Sequence, residues 1–259
     1  MRKQRYLTLE KRLSVPFWTK LAVPLASIVA GFLFSAIFLL ISGESPIEVY
    51  SVMFEGAFGS AYGLSETVVK MIPLMIISVG VAFAFKMQIW NAGGEGQLHI
   101  GAAAATYVVL HLNGCSRFVT VLLAFLAAFI CAGIYGLIPA ILKVKWKVNE
   151  LITCLMLNYV ATFFVAWLIQ GPWKDPTGFA FPRTRKIPSA GELTTFFGTR
   201  IHTGLIIGLA IALALWFVIY KTRWGFEIKL IGAKEKVARY AGMSVNRNIL
   251  LVMFLSAGI

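Results

Sequence analysis

Apolar residues along this chain fall into long runs separated by short polar stretches. Residues 21–41, 67–85, 100–112, 118–142, 151–169 and 205–220 are almost devoid of charge, and a further apolar run opens at Ile249. A helix that crosses a bilayer needs about 20 mostly apolar residues, fewer if it is broken or buried among other helices. The pattern therefore predicts an all-α, polytopic transmembrane helical bundle of six to seven spans, forming one membrane domain over residues 1–259. The last run is still apolar at Ile259 after about half the residues a span requires. The chain is accordingly expected to be C-terminally incomplete.

Composition supports a bilayer as the solvent. Of 259 residues 59% are apolar and 14% charged, the reverse of what a water-soluble domain could bury. The net charge of +13 does not point to nucleic acid, because the cations sit between apolar runs rather than on one solvated face. Membrane lipids with anionic headgroups are the expected partners of those cations. The N-terminal stretch MRKQRYLTLEKR resembles a signal-peptide flank. The apolar run after it is too long for a signal core and lacks a small-residue cleavage site, so it reads as an uncleaved first span.

Lys and Arg set the orientation, since short cytoplasmic loops retain them. Seventeen of the 24 fall on one side: six in residues 1–20, then Lys86, then Lys143, Lys145 and Lys147, then seven in residues 221–248. This predicts a cytoplasmic N-terminus (1–20), an extracytoplasmic loop (170–203) and a cytoplasmic segment (221–248). Residues 42–66 contain four Glu and no Lys or Arg, compatible with an outer position.

Small residues recur every fourth position at Ala124, Ala128, Ala132 and Gly136, and again at Gly204, Gly208 and Ala212. Helices in lipid associate through close backbone approach, so these stripes are expected to be packing faces. Asn149 followed by Glu150 reads as a helix N-cap with an acidic first turn.

The stretch KMQIWNAGGEGQLHIG at residues 86–101 is unlike the rest, and continuous helix is not expected through it. Non-helical backbone at membrane depth occurs only where protein or a water-filled cavity satisfies it, and such interruptions often line solute paths. A path-lining element is the sharper reading and a plain cytoplasmic turn the alternative. Asn158, two turns into its span, either joins helices or touches a polar solute. Residues 221–248 are basic and punctuated by Gly225, Gly232 and Gly242 into turn, helix and turn. Their Ala-rich centre lacks the bulky residues of a membrane-surface helix, which favours docking on a protein partner. Cys115, Cys131 and Cys154, and the three scattered His residues, show no metal or redox spacing.

Three segments together resemble one family, the membrane subunits of ATP-binding-cassette (ABC) importers for branched-chain amino acids, ribose, nucleosides or simple sugars. WNAGGEGQLHIGA (90–102) resembles the nucleoside and simple-sugar subgroup's N-I-G-x-E-G-Q stretch, with Ala92 in place of Ile. VNELITCLMLNYVA (148–161) is similar to that subgroup's N-E-x-I-x-T-x-M-L-N-Y, departing at Cys154. IGAKEKVARYAGMS (231–244) looks like the cytoplasmic coupling loop, with Lys234 and Glu235 where Asn-Pro is common.

The resemblance implies a permease subunit in a bacterial inner membrane that forms the path for nucleosides or simple sugars. Its implied partners are a cytoplasmic ABC ATPase subunit, a second permease subunit and an extracytoplasmic substrate-binding protein. No cofactor is expected on this chain: it contains no GxxxxGK[ST] loop, so ATP is used by the partner. On this reading Asn91, Glu95, Gln97 and Asn158 are candidates to line the path. Gly232, Ala233, Arg239, Tyr240 and Gly242 are candidates for the ATPase contact. The rival is an ion-coupled secondary transporter of a small polar solute, for which Glu95 is the one plausible intramembrane carboxylate. A membrane-embedded enzyme would need a nucleophile or an acid and base at helical spacing, and the sequence offers neither.

Overall fold

The computed structural model describes residues 16–112, 114–176, 178, 182–196 and 198–259. Most of the expected cytoplasmic N-terminus, residues 1–15, lies outside them, as do residues 177, 179–181 and 197 of the expected outer loop.

The described residues form ten α-helices, α1 (Phe17–Ile41), α2 (Pro46–Phe58), α3 (Ala61–Phe85), α4 (Gly94–His111), α5 (Arg117–Trp146), α6 (Glu150–Gln170), α7 (Gly204–Lys221), α8 (Arg223–Ala233), α9 (Glu235–Tyr240) and α10 (Val245–Gly258), and one short 3-10 helix, Ser189–Gly191. Among them β structure is confined to two isolated bridges, Lys174 with Thr184 and Thr195 with His202. The all-α architecture expected from the apolar runs is present. Five helices, α1, α3, α5, α6 and α7, are long and apolar enough to cross a membrane.

Two compact units divide the chain, Met1–Leu64 and Ser65–Ile259. In the first, α1 and α2 meet through Tyr50, whose hydroxyl donates to the Phe32 carbonyl at 2.7 Å while its ring stands edge-on to Phe32. Residues 42–66, whose four Glu and lack of Lys and Arg are compatible with an outer position, hold all of α2. Its local signals are Pro46 in the first turn and Glu48 near the N-terminus, a position that favours both.

In the second unit α5 lies against both α4 and α10, and its small-residue stripe is what permits this. A Cβ on Gly136 would sit 2.2 Å from Ala257 Cβ, one on Gly133 would strike the Phe254 ring at 2.6 Å, and one on Gly101 of α4 would touch Ala132 Cβ at 3.6 Å. The second stripe serves α7 against α3, since Gly208 faces Met75 and Ile76. Both stripes are packing faces, as expected from backbone approach in lipid. Asn149 caps α6, its side chain accepting from the Leu151 N–H at 2.9 Å.

Three expected boundaries move. The span placed at 100–112 begins earlier, at Gly94, because other helices supply partners for its polar first turns. The last helix begins at Val245 rather than Ile249. In the 221–248 segment Gly225 and Gly232 lie inside α8 and do not act as turns. The break falls at Lys234, extended at φ −154°, and Gly242 is the glycine that turns the chain, at φ +77°.

Candidate functional site

The helical chain stops at Phe85 and resumes at Gly94, so residues 86–93 form the interruption anticipated in the sequence. Lys86 to Gln88 make a tight turn with Gln88 at φ +59°, after which the chain runs back among the helices. The depth reached follows from its partners, at 1.5 Å of rise per residue. Gly80 lies about 8 Å from the end of α3, Asn158 about 12 Å from the start of α6, and Ser256 about 16 Å from the start of α10. All three helix ends are on the side carrying Lys86, Lys143 and Lys221. The segment is thus a re-entrant piece of non-helical backbone whose Met87, Ile89, Asn91 and Gly93 are buried in protein while Lys86, Gln88 and Trp90 are exposed, and buried partners are what let such backbone persist at depth.

Asn91 is its anchor, 1% exposed. Its Nδ2 donates to Gln97 Oε1 at 3.1 Å and to Ser256 Oγ at 2.9 Å, while its Oδ1 accepts from Gln97 Nε2 at 2.9 Å and from the Gly93 N–H at 3.2 Å. Ser256 passes the chain of bonds on, donating to the Gly80 carbonyl at 2.7 Å. Asn158 clasps the same segment from α6: its Oδ1 accepts from the Gly96 N–H at 2.9 Å and its Nδ2 donates to the Ala92 carbonyl at 3.0 Å. The first turn of α4 is therefore capped by a residue 62 positions away rather than by a local side chain. Space is as constrained as bonding, because a Cβ on Gly96 would sit 2.9 Å from both Cα and Oδ1 of Asn158.

Of the four residues expected at this place, the structure joins Asn91 and Gln97 directly and holds Asn158 on the backbone of the same segment, at Gly96 and Ala92, each amide bonded to protein through both its oxygen and its nitrogen. Glu95 stands apart, exposed on the first turn of α4. Ser256 and Cys154, a buried thiol 3.8 Å from Asn91 Oδ1, complete the surroundings. Ser256 was not legible as a site residue, because nothing local distinguishes a serine in an apolar helix. Gln97 and Ser256 also border a cavity of about 180 Å³ between α3, α4, α5 and α10. A larger, mostly apolar cavity of about 610 Å³ lies further along, bounded by Ile72, Ile76, Val109, Phe125 and His202 among others.

The second group of expected site residues belongs to α8, α9 and the turn that follows α9. Gly232 rests directly on the re-entrant turn: a Cβ there would lie 2.4 Å from the Lys86 carbonyl oxygen and 3.0 Å from Met87 Cα. Ala233 is exposed. Arg239 is also exposed and pairs with Glu235 one turn back, at 2.8 Å. Tyr240 is 93% exposed, and Gly242 ends the helix in open space. Ala238, between them, is fully buried and anchors α9. A hydrogen-bonded brace holds α8 to α10, with Trp224 Nε1 donating to Asn248 Oδ1 at 2.6 Å and Asn248 Nδ2 donating to Glu227 Oε2 at 3.0 Å. Five of these residues thus form a platform exposed on one side and joined on the other, through Gly232, to the helix interruption. Among the described residues no cluster of His, Cys, Asp or Glu could hold a metal ion.

Residues 63–259 match the family described as branched-chain amino acid transport system / permease component. The chain belongs to this permease family. The permease is 33% identical to a glucose ABC transporter permease protein of Haloferax volcanii over 97% of its own length and 68% of the relative's. It is 35% identical to a guanosine ABC transporter permease protein of Bacillus subtilis, covering 91% of this chain and 68% of that one. A nucleoside ABC transporter permease protein of Lactococcus lactis is 32% identical over 93% and 68%. No solved structure matches the permease. It is a multi-pass membrane subunit of an ABC transporter, the class that the three sequence segments implied.

Proposed function

We propose that the permease forms part of the transmembrane path of an importer for nucleosides or simple sugars, powered by ATP that a separate cytoplasmic subunit hydrolyses. The relatives named for glucose, guanosine and nucleosides support the solute class. A second permease subunit and an extracytoplasmic substrate-binding protein complete the assembly in the cell membrane, with the N-terminus and the Lys-rich helix ends facing the cytoplasm.

The observation that carries this reading is the seat of Gly232 on the Lys86 carbonyl. It supports a backbone contact between the platform of α8 and α9 and the re-entrant segment 86–93. Five residues after Lys86, Asn91 holds Gln97 of α4 and Ser256 of α10. A push on the platform from a closing ATPase pair therefore has a short covalent and hydrogen-bonded route to the helices around the path, as alternating access requires. In this reading Asn91, Gln97 and Asn158 shape the wall with their amides engaged on protein, and Glu95 offers its exposed carboxylate to the path. Gly232, Ala233, Arg239, Tyr240 and Gly242 form the face that the ATPase grips.

The test is uptake of labelled nucleoside or sugar by cells expressing the assembled transporter. Uptake should persist when the proton gradient is collapsed and stop when ATP is depleted. The opposite pattern would favour the ion-coupled transporter. Within the complex, Gly232→Glu or Arg239→Glu should lower transport-linked ATPase activity while membrane insertion remains. Unchanged transport would remove these residues from the ATPase contact.

A further inference from the structure

At the end of α7, Tyr220 receives two cations from different parts of the fold. Lys86 Nζ, from the turn after α3, lies 5.8 Å from the ring centroid, and Lys229 Nζ, from α8, lies 5.3 Å from it. Lys221 and Arg223 stand exposed on either side of the helix junction. Among the described residues none of these four cations pairs with a carboxylate. An aromatic face attracts an ammonium but carries no net negative charge, so the cluster remains uncompensated by protein.

The same face of α7 continues away from the cluster as an apolar stripe. Leu213, Trp216, Phe217 and Tyr220 recur at the three- and four-residue spacing of one helix side, and they are 68%, 52%, 56% and 51% exposed. Trp216 and Tyr220 sit beside each other, ring centroids 6.0 Å apart, where aromatic residues mark a membrane interface. Cations at the end of an exposed apolar stripe match an anionic headgroup above hydrocarbon tails.

We propose that Lys86, Lys229 and Tyr220 form a binding site for the phosphodiester of an anionic phospholipid, whose acyl chains lie along Leu213, Trp216 and Phe217. A soluble phosphate would use the cations and leave the stripe bare. The lipid satisfies both halves of the surface at once, and basic pockets at this level of a membrane protein are suited to such headgroups. The site's placement in the cytoplasmic leaflet rests on the orientation proposed above. Lys86 also belongs to the turn under Gly232, so an occupied site would steady the route from the platform to the helix interruption.

Native mass spectrometry of the detergent-purified permease, titrated with phosphatidylglycerol or with phosphatidylcholine of the same chains, reads the site directly. The expected result is one phosphatidylglycerol retained in preference to phosphatidylcholine, with inorganic phosphate failing to displace it. Lys86→Gln combined with Lys229→Gln should weaken that preference about tenfold, whereas Lys86→Arg with Lys229→Arg should keep it. Lys234→Gln with Lys236→Gln removes the same charge elsewhere and should leave the preference intact. An equal loss in that control, no loss in the first pair, or displacement by inorganic phosphate would each overturn the lipid site. With Cys115, Cys131 and Cys154 first replaced by Ser, labelling of Lys229→Cys by an impermeant thiol reagent from the outer side alone would instead overturn the orientation, leaving the binding result to stand by itself.

Discussion

Asn91 and Gln97 face each other through both ends of their amides, at 2.9 and 3.1 Å, across the junction where non-helical chain becomes α4. Neither could be satisfied by lipid, so the pair keeps the junction inside the protein. Ser256 on α10 and Asn158 on α6 extend the same arrangement to two more helices.

Replacing Asn91 by Leu leaves the Gln97 amide and the Gly93 N–H without their side-chain partner at a buried position. The expected cost is about 2 to 4 kcal/mol, read as a lower thermal unfolding midpoint of the purified permease. Ser256→Ala should cost less, about 1 kcal/mol, because Asn91 keeps its bonds to Gln97. A larger effect from Ser256 than from Asn91 would contradict the anchoring role given to the asparagine.

Gly136 and Ala257 test the packing of α5 on α10. Gly136→Ala places two methyl groups 2.2 Å apart and should destabilise by about 1 to 3 kcal/mol. Adding Ala257→Gly removes the opposing methyl and should recover part of the loss, a coupling visible in a double-mutant cycle. Strict additivity would mean that the two helices separate in solution.

Gly232→Ala should displace the Lys86 turn, since the nearest atom is a backbone oxygen with no rotamer to escape into. The assembled transporter is expected to keep its ATPase subunit but show weaker stimulation of hydrolysis by solute. Gly56→Ala in α2 provides the contrast, because a Cβ there meets nothing within 4 Å and the residue lies outside the face assigned to the ATPase. If both variants lose stimulation equally, the contact with Lys86 is not the transmitting element.

Trp224 and Asn248 brace α8 against α10. Trp224→Phe retains the edge-on contact with Phe83, at 5.7 Å, and loses one hydrogen bond, for about 1 kcal/mol. Asn248→Leu removes the bonds to Trp224, Glu227 and the Ser244 carbonyl together. It should therefore be the more damaging of the two in the same thermal assay.

Features whose cause is local could be read from residue order. Asn149 caps α6 because its side chain bonds two residues ahead, and the four-residue stripes of Ala and Gly face neighbours because 3.6 residues make a turn. Features whose cause lies elsewhere in the chain were misplaced. Gly232 resembles a turn residue until Lys86 is seen beneath it, and α4 starts at Gly94 because Asn158, on a different helix, holds the Gly96 N–H. The helix α2 is an exception, since Pro46 and Glu48 were present to announce it.

Residue order alone determined that this chain lives in a bilayer and that helical chain is interrupted after Phe85, because hydrocarbon excludes charge and unpaired backbone wherever they occur. Only the tertiary structure decided what fills the break. Amide hydrogen bonds need partners within about 3 Å, and Asn91 reaches Gln97 and Ser256, and Asn158 reaches Gly96 and Ala92, solely through the packing of α3, α4, α6 and α10.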